Sequence, residues 1–356
     1  MKPLKNAETQ VLKSGHSKYC GLQLILFIKP KYILRKNLNI IRLLREQEKE
    51  GRYMESKQDF VKYMMENIKF PQEALEVFLS LCRQIETQKH NREKFMELAD
   101  RYMRGETDSV YEELDVLAET MKIHSYTLSM LLLLWCGEGL LVKYRGEEIP
   151  DEIYWDTVYD LNYKLMECYQ VYGIWGTFVR SWYPGFYQMT RFALGRMQYE
   201  YSDFKLEEHE AGSNLVKKGD RVINMHIPSS GSFSWEKRLD SYKRAYEFYK
   251  DDFGGKPIPM VCDSWLLYPE HREFLPEHLN IRSFMEDFTY IEGTTEDKFE
   301  NAWRVFGKDS EKAPNELPRE TSLQNAYANH LLAGGKTGSG YGIFFFDGEK
   351  ILRSKK

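Results

Sequence analysis

The sequence predicts an α+β protein in which an all-helical region precedes a mixed-sheet region. From about residue 57 to Gly173 the apolar residues recur at helical spacing, whereas after Gly173 short segments alternate polar and apolar residues as strands do. A strand–helix–strand unit between Arg221 and Leu267 then requires two parallel neighbouring strands. We expect the two regions to be separate packing units that meet between Gly173 and Arg191.

The bulk composition is that of a soluble globular protein, with 42% hydrophobic and 29% charged residues in 356. A net charge of −4 argues against a nucleic-acid binder, which usually carries a basic surface. The five cysteines are an odd number without a CxxC pair, which is typical of reduced thiols in a cytoplasmic protein. The histidine spacing predicts no metal site. The apolar run from Met130 to Cys136 is too short to span a bilayer and predicts a core helix.

Residues 1–53 differ in composition from the rest of the chain, being rich in Lys, Arg, Asn, Ile and Leu. The segment ends in Lys-Glu-Gly shortly before Met54, and codons for those residues resemble a bacterial ribosome-binding sequence. Two interpretations are open: the native start is Met54, or the segment is a basic, disordered N-terminal extension.

Deletion of residues 1–53 is expected to leave the melting temperature nearly unchanged, because the early part of the segment has no period that could bury a face. The melting temperature of the full chain and of the shortened chain checks this. A drop of more than about 10 °C would show that the segment packs on the core.

The helical domain is predicted to span residues 54–173. Pro71 opens one helix at the favoured first position, and Leu75, Phe78 and Cys82 follow at helical spacing. Four more helical segments follow with short connections: NREKFMELADRYM, DSVYEELDVLAETM, YTLSMLLLLWCGEGLL and PDEIYWDTVYDLNYKLMECYQVY. Five such helices are typical of an all-α domain.

The mixed-sheet domain is predicted to span residues 174–356. RFALGRMQYEY has strand character, and FKLEEHE is predicted to pair with it across a turn at Ser202–Asp203. RVINMHI and PIPMVCDSWLL are predicted to be parallel neighbours, joined by a helix over 234–253 that Gly254–Gly255 end. The apolar face of that helix is predicted to contain Trp235, Leu239, Tyr242, Tyr246, Tyr249 and Phe253. TEDKFENAWRVF and TSLQNAYANHLL are predicted helices, and YGIFFFD is the last predicted strand.

A Ser- and Gly-rich loop separates RVINMHI from the long helix. The first turn of a helix has free N–H groups and a partial positive charge, so a helix that follows a strand and such a loop can bind an anion. We interpret the loop as a diphosphate site formed by Ser229, Ser230, Gly231, Ser232, Phe233 and Ser234. Lys237 and Arg238 in the first turn fit this interpretation, because an anion would balance them. The alternative is that Ser232 or Ser234 caps the helix and nothing binds.

Several segments carry a resemblance to a bacterial two-domain acyltransferase-like family, which joins a helical N-acyltransferase N-terminal domain to a GNAT-like C-terminal domain. These segments are ALGRMQYE (193–200), HIPSSGSF (226–233), CDSWLL (262–267), LNIRSF (279–284), WRVFG (303–307) and LPRETSLQNA (317–326). The resemblance implies a core in which a strand and the next helix bind the diphosphate of acyl-CoA. Ordinary GNAT enzymes use an Arg/Gln-x-x-Gly-x-Gly/Ala loop, and this chain departs from it with one Gly and three Ser.

Direct transfer of an acyl group from a thioester to an amine needs a base for the amine proton. His226, at the end of RVINMHI, is the first candidate, because its ordinary pKa suits a base near neutral pH. Glu200 is the second, on a strand where Arg196 and Gln198 are predicted to share its face. The alternatives are a packed histidine and a solvated sheet face.

Two aromatic residues after PIPMVCDS are further candidates. Tyr268 lies where the resemblance to GNAT enzymes implies a tyrosine that protonates the leaving thiolate. Trp265 is predicted to stack on adenine or to line the acyl channel, and its alternative is a core position.

Two functions of different classes therefore stay open, besides a third, an enzyme that acts on another phosphorylated small molecule through the same loop. The first is an acyl-CoA-dependent N-acyltransferase that uses acyl-CoA as co-substrate, no metal, and a small-molecule amine acceptor, with no nucleic-acid or membrane partner. The second is a catalytically silent GNAT-like protein that binds CoA or another small ligand as a sensor. The missing Gly-rich signature favours the second function, and the polar residues at the strand ends favour the first.

Overall fold

The computed structural model describes residues 56–229 and 231–353, and the described residues belong to one compact unit. The predictions for residues 1–53 and for Ser230 lie outside the described residues. The α+β class is confirmed: helices fill the first part of this range, and a mixed sheet follows.

Seven helices occupy the described residues from 57 to 172. Where one helix was predicted for residues 150–172, the chain has two, because it leaves α-helical hydrogen bonding for one residue at Tyr159. The seven helices are α1 (Lys57–Asn67), α2 (Gln72–Thr87), α3 (Lys89–Met103), α4 (Thr107–Met121), α5 (Ser125–Gly146), α6 (Asp151–Val158) and α7 (Asp160–Tyr172).

The helix α5 is the central helix of this region. It is long and apolar enough to cross a membrane by length and composition, but 72% of its apolar window is buried. Leu131, Leu132, Leu133 and Leu134 are all fully buried, so no face of this stretch is exposed. The prediction of a core helix at Met130–Cys136 is therefore confirmed.

A 3₁₀ turn (Arg180–Trp182) and the short helix α8 (Pro184–Tyr187) lead into the sheet. The strands of the main sheet lie in the order β1-β2-β5-β6-β8-β7, with β9 beside β8, and β3 and β4 form a separate hairpin. The strands are β1 (Arg191–Leu194), β2 (Met197–Asp203), β3 (Glu208–Ala211), β4 (Asn214–Lys217), β5 (Arg221–His226), β6 (Ile258–Ser264), β7 (Tyr290–Glu296), β8 (Thr337–Phe346) and β9 (Ile351–Leu352).

The predicted parallel pair is confirmed, because β5 and β6 are parallel and the other pairings are antiparallel. The predicted pairing of FKLEEHE with the preceding strand is wrong. The chain turns earlier, at Gly195 (φ +75°), so that β1 pairs with β2, and the second half of FKLEEHE pairs with β4.

The connecting helix α9 (Trp235–Tyr249) continues into a 3₁₀ turn and ends at Gly254 in the left-handed region, as predicted. Its buried face is shifted from the predicted one. Arg238 and Ser241 are buried, whereas Trp235 is 40% exposed. The buried face of α9 therefore includes polar residues that have partners inside the protein, and the spacing of apolar residues alone did not predict them.

The C-terminal segment contains α10 (His271–Phe274), α11 (Asn280–Met285), α12 (Ala302–Phe306) and α13 (Ser322–Leu332). The helix predicted for TSLQNAYANHLL is confirmed as α13, which Thr321 opens with a capping box. TEDKFENAWRVF forms a helix only over α12, because its first residues end the strand β7. Most of β7 is exposed, so it lacks the apolar alternation that would have predicted it.

The helical and sheet regions share one core, so the expectation of separate packing units is wrong. A single cluster of buried side chains runs from Phe60 in α1 to Phe346 in β8. Tyr144 of α5 packs edge-on against Phe192 of β1, with 5.7 Å between the ring centroids. The strands of the main sheet nevertheless all follow Arg191. The domain limits at residues 54, 173 and 356 stay predictions.

Candidate active site

The strands β5 and β6 part at their carboxyl ends. They pair only through Ile223–Met260 and Asn224–Val261, although β5 continues to His226 and β6 to Ser264. Ligands of sheets with parallel strands bind where strands diverge at their carboxyl ends. The opening between β5 and β6 is therefore the first place to look for a ligand site.

His226 lies at this opening and contacts the second candidate base. Its Nε2 is 2.6 Å from Glu200 Oε1, and its ring meets the Trp182 ring edge-on at 4.7 Å between centroids. The other carboxylate oxygen of Glu200 pairs with Arg191, whose Nη2 lies 2.8 Å away. The fold thus brings together two residues that the sequence analysis named separately, and adds Trp182 and Arg191, which it missed.

The protonation states follow from burial and charge. Burial lowers the pKa of His226, although the hydrogen bond to Glu200 opposes this shift. Burial alone would raise the pKa of Glu200, but His226 and Arg191 outweigh it and hold this pKa below its ordinary value. Glu200 is therefore an ionised acceptor, and a neutral His226 donates to it through its Nε2–H. The side-chain amide of Asn224 also faces this nitrogen, with Nδ2 3.2 Å from Nε2. No described residue forms a hydrogen bond with Nδ1 of His226, so this nitrogen keeps a lone pair.

The loop after β5 is held by Arg196, which lies in the β1–β2 turn rather than on the β2 face predicted for it. Arg196 donates from Nη2 to Pro228 O (2.8 Å) and from Nε to Ser232 O (3.0 Å). Gly231 has φ +90°, and a Cβ placed there would meet only the Arg196 side chain at 3.9 Å. Ser234 is the N-cap residue of α9, but its side chain makes no capping hydrogen bond. The loop therefore leaves open space in front of Gly231.

Arg238 has a structural role, so the prediction that a bound anion balances it is wrong. It is fully buried and forms a two-pronged ion pair with Asp287, at 2.6 and 3.1 Å. It also donates from Nη1 to Phe233 O at 2.8 Å, which anchors the end of the loop. Lys237 is exposed. The Glu236 carboxylate accepts a hydrogen bond from the Ser234 hydroxyl, and this hydrogen bond lowers the pKa of Glu236.

The described contacts of Tyr268 and Trp265 are with residues other than His226 and Glu200. The Tyr268 hydroxyl is 3.4 Å from Thr295 Oγ1 on β7, and β6 and β8 separate β7 from β5. Trp265 packs against Phe299 and Tyr327 in a second apolar cluster. Their proposed roles toward the thiolate and the adenine stay predictions.

A cavity of about 220 Å³ lies beside the loop, between α6, α7 and the β1–β2 turn. Its lining includes Asp160, which is buried and accepts from Gln198 Nε2 at 2.8 Å. The sequence analysis missed Asp160, because a carboxylate is rarely buried and no local pattern indicates that this one is. In the described part of the chain, no group of three or more His, Cys, Asp or Glu side chains is arranged to hold a metal ion.

Residues 59–189 match the model of the N-acyltransferase N-terminal domain, and residues 192–344 match that of the GNAT-like C-terminal domain. The chain belongs to the family that joins these two domains. This confirms the resemblance, and the two domain models meet where the chain passes from α8 into β1.

Solved structures share the fold of this two-domain family member. An acyltransferase in complex with decanoyl-CoA is 20% identical, with a TM-score of 0.62, over 80% of this chain and 87% of its own. An acyltransferase in complex with decanoyl-CoA and teicoplanin is 18% identical, with a TM-score of 0.60, over 87% of this chain and 96% of its own. At such identities the likeness shows the fold. No curated protein matches the chain.

Proposed function

We propose that the protein is an acyl-CoA-dependent N-acyltransferase that transfers an acyl group directly to the amine of a small-molecule acceptor. The observation that carries the proposal is the 2.6 Å contact between His226 Nε2 and Glu200 Oε1, where β5 and β6 part. The family of the chain and the acyl-CoA in structures of similar fold support an acyl-CoA donor. A cytoplasmic location and a bacterial origin stay predictions.

The chemistry of the step follows from the hydrogen bond between His226 and Glu200. The amine nitrogen of the acceptor attacks the thioester carbonyl carbon, forming the C–N bond, and Nδ1 of His226 takes the proton that the amine loses. The C–S bond then breaks, and the CoA thiolate leaves and takes a proton. Glu200 stabilises the imidazolium that forms, because it stays ionised beside Arg191. The products are an N-acyl amide and free CoA.

The diphosphate of the donor is assigned to the loop Ser229–Ser234 and the first turn of α9. The loop presents open space at Gly231, and Arg196 holds the carbonyl oxygens of Pro228 and Ser232 by hydrogen bonds, so that these two negative dipoles are already paired. The first N–H groups of α9 have no acceptor within the helix and supply the donors. The loop has one glycine, Gly231, so this is the position at which the backbone can approach a bound diphosphate closely.

Replacing Gly231 by valine is expected to weaken CoA binding by more than tenfold, or about 1.4 kcal/mol. A branched side chain is strained at φ +90° and would occupy the open space in front of the loop. Calorimetry with CoA and decanoyl-CoA measures the effect.

Gly212→Val is the matched control, because Gly212 has φ +65° with nothing within 4 Å and lies in the turn of the β3–β4 hairpin. It should carry similar backbone strain and bind CoA like the wild type. If Gly231→Val binds as tightly as the wild type, the diphosphate lies elsewhere. If the wild type gives no heat with any CoA species, the donor assignment fails.

The silent sensor remains a second candidate because the loop lacks the glycines of ordinary GNAT enzymes. Incubation with decanoyl-CoA and a panel of small amines separates the two. Release of CoA thiol together with an N-acyl product in the mass spectrum is expected for the enzyme. Binding of decanoyl-CoA without thiol release for any amine would favour the sensor.

A further inference from the structure

We propose that Arg191 is a positioning residue for catalysis: it holds Glu200 as an ionised acceptor and thereby sets which ring nitrogen of His226 carries the proton. The inference rests on the proposed function for its catalytic meaning. The contact that it invokes can nevertheless be measured without any acyl transfer.

The Arg191 guanidinium is held by hydrogen bonds and by a ring contact, and its partners are Glu200 and Trp182. It donates from Nε to Glu200 Oε2 at 3.0 Å and from Nη1 to Trp182 O at 2.9 Å. Its carbon atom Cζ lies 3.7 Å from the centre of the Trp182 ring, whose edge also meets His226. The side chain is only 12% exposed. These contacts hold the guanidinium over the Trp182 ring and against Glu200.

A glycine of the helical region makes room for this arrangement. A Cβ at Gly185 would lie 3.2 Å from Arg191 Cζ and 3.3 Å from its Nη1, which is closer than side chains usually approach. Gly185 thus lets α8 pass close to the guanidinium. Trp182 and Gly185, which precede the sheet in sequence, therefore position the charge of Arg191 beside Glu200 and His226.

The consequence for His226 follows from the charges around its ring. Glu200 on β2, Arg191 on β1 and Asp263 on β6 act on it. With Arg191 in place, Glu200 is ionised but partly neutralised, and His226 stays neutral with Nδ1 free to accept a proton. Without Arg191, the two remaining carboxylates would favour an imidazolium, which has no lone pair and cannot act as a base.

The test is ¹⁵N and ¹³C NMR of the histidine rings in the full-length protein, with the His226 signal assigned from its absence in His226→Ala. In the wild type, the neutral ring is expected to carry its proton on Nε2. Arg191→Met should raise the pKa of His226 by about one unit, because a nearby positive charge is lost. Glu200→Gln should lower that pKa, because a negative partner is lost. Arg191→Lys should give a smaller rise than Arg191→Met.

Opposite shifts in Arg191→Met and Glu200→Gln cannot come from a general loosening of the fold. If Arg191→Met does not fold, Gly185→Ala displaces the guanidinium without removing it, and the pKa of His226 should again rise. Where acyl transfer is observed, the acid limb of kcat/KM should move with the measured pKa, while decanoyl-CoA affinity stays within about threefold.

An unchanged pKa and an unchanged proton position of His226 in Arg191→Met, or in Gly185→Ala when that variant takes its place, would overturn the inference. The inference would be overturned by that result even if the protein catalysed acyl transfer. Absence of acyl transfer in the wild type would overturn the proposed function instead, and the NMR result would still decide the role of Arg191.

Discussion

Replacing His226 by alanine is expected to lower kcat for acyl transfer by about 10²- to 10⁴-fold, the range that a positioned general base contributes. Decanoyl-CoA affinity should stay within a few-fold, because the base acts on the acceptor amine rather than on the donor. A loss in kcat with an unchanged donor affinity is the expected result for a residue that acts in the transition state. Rates of thiol release and calorimetry measure the two quantities.

His209→Ala is the matched control for this variant. His209 is also partly buried, and its ring Nε2 lies 3.0 Å from Thr289 Oγ1, but it lies on the β3–β4 hairpin. Turnover by His209→Ala is expected to match that of the wild type. Retention of more than a third of wild-type turnover by His226→Ala would contradict the assignment of the base.

The pH dependence provides a second test of His226. A base must be deprotonated, so kcat/KM should fall as the pH drops through the pKa of His226. Because burial lowers this pKa, the acid limb should lie below the ordinary histidine value of about 6.5. The rate should therefore already be at its plateau at neutral pH, and this limb should be absent from the residual rate of His226→Ala.

Replacing Arg238 by methionine is expected to lower the free energy of unfolding by about 3–5 kcal/mol, the usual cost of removing one partner of a buried ion pair. The change leaves Asp287 buried, with Tyr242 as its remaining hydrogen-bond donor at 2.8 Å. It also frees the Phe233 carbonyl, which Arg238 holds at 2.8 Å. Urea unfolding of both proteins measures the loss.

The deficit of Arg238→Met should shrink as the pH falls. Burial raises the pKa of Asp287 even with Arg238 present, and loss of the guanidinium raises it further. A carboxyl with a raised pKa in the folded state binds a proton more readily than in the unfolded chain, so its protonation at acidic pH stabilises the fold. The neighbouring Lys237→Met is the control for the stability loss of Arg238→Met. Lys237 is exposed, so its replacement should change the free energy of unfolding by less than about 0.5 kcal/mol. An equal loss in both variants would show that Arg238 has no special role.

The unit from β5 to β6 could be predicted from sequence because each of its parts is set by local pattern. The strand RVINMHI, the loop, the long helix and its end at Gly254 follow one another, and a crossover of this length makes the two strands parallel. Two of the six segments that carry the family resemblance, HIPSSGSF and CDSWLL, overlap this stretch. The two candidate bases, His226 and Glu200, were named for their own chemistry and strand positions.

Only the tertiary structure decided what each of these residues touches. Alternation within a strand predicts which face a side chain occupies, but the pairing register decides which residue lies across from it. The antiparallel register of β2 and β5 places Glu200 opposite Asn224 and Gln198 opposite His226, which brings Glu200 within hydrogen-bonding distance of His226. The charge of Arg191 reaches Glu200 through the pairing of β1 with β2, and Asp287 meets Arg238 from 49 residues away. Such contacts are formed between segments that are distant in sequence, and no local period encodes them.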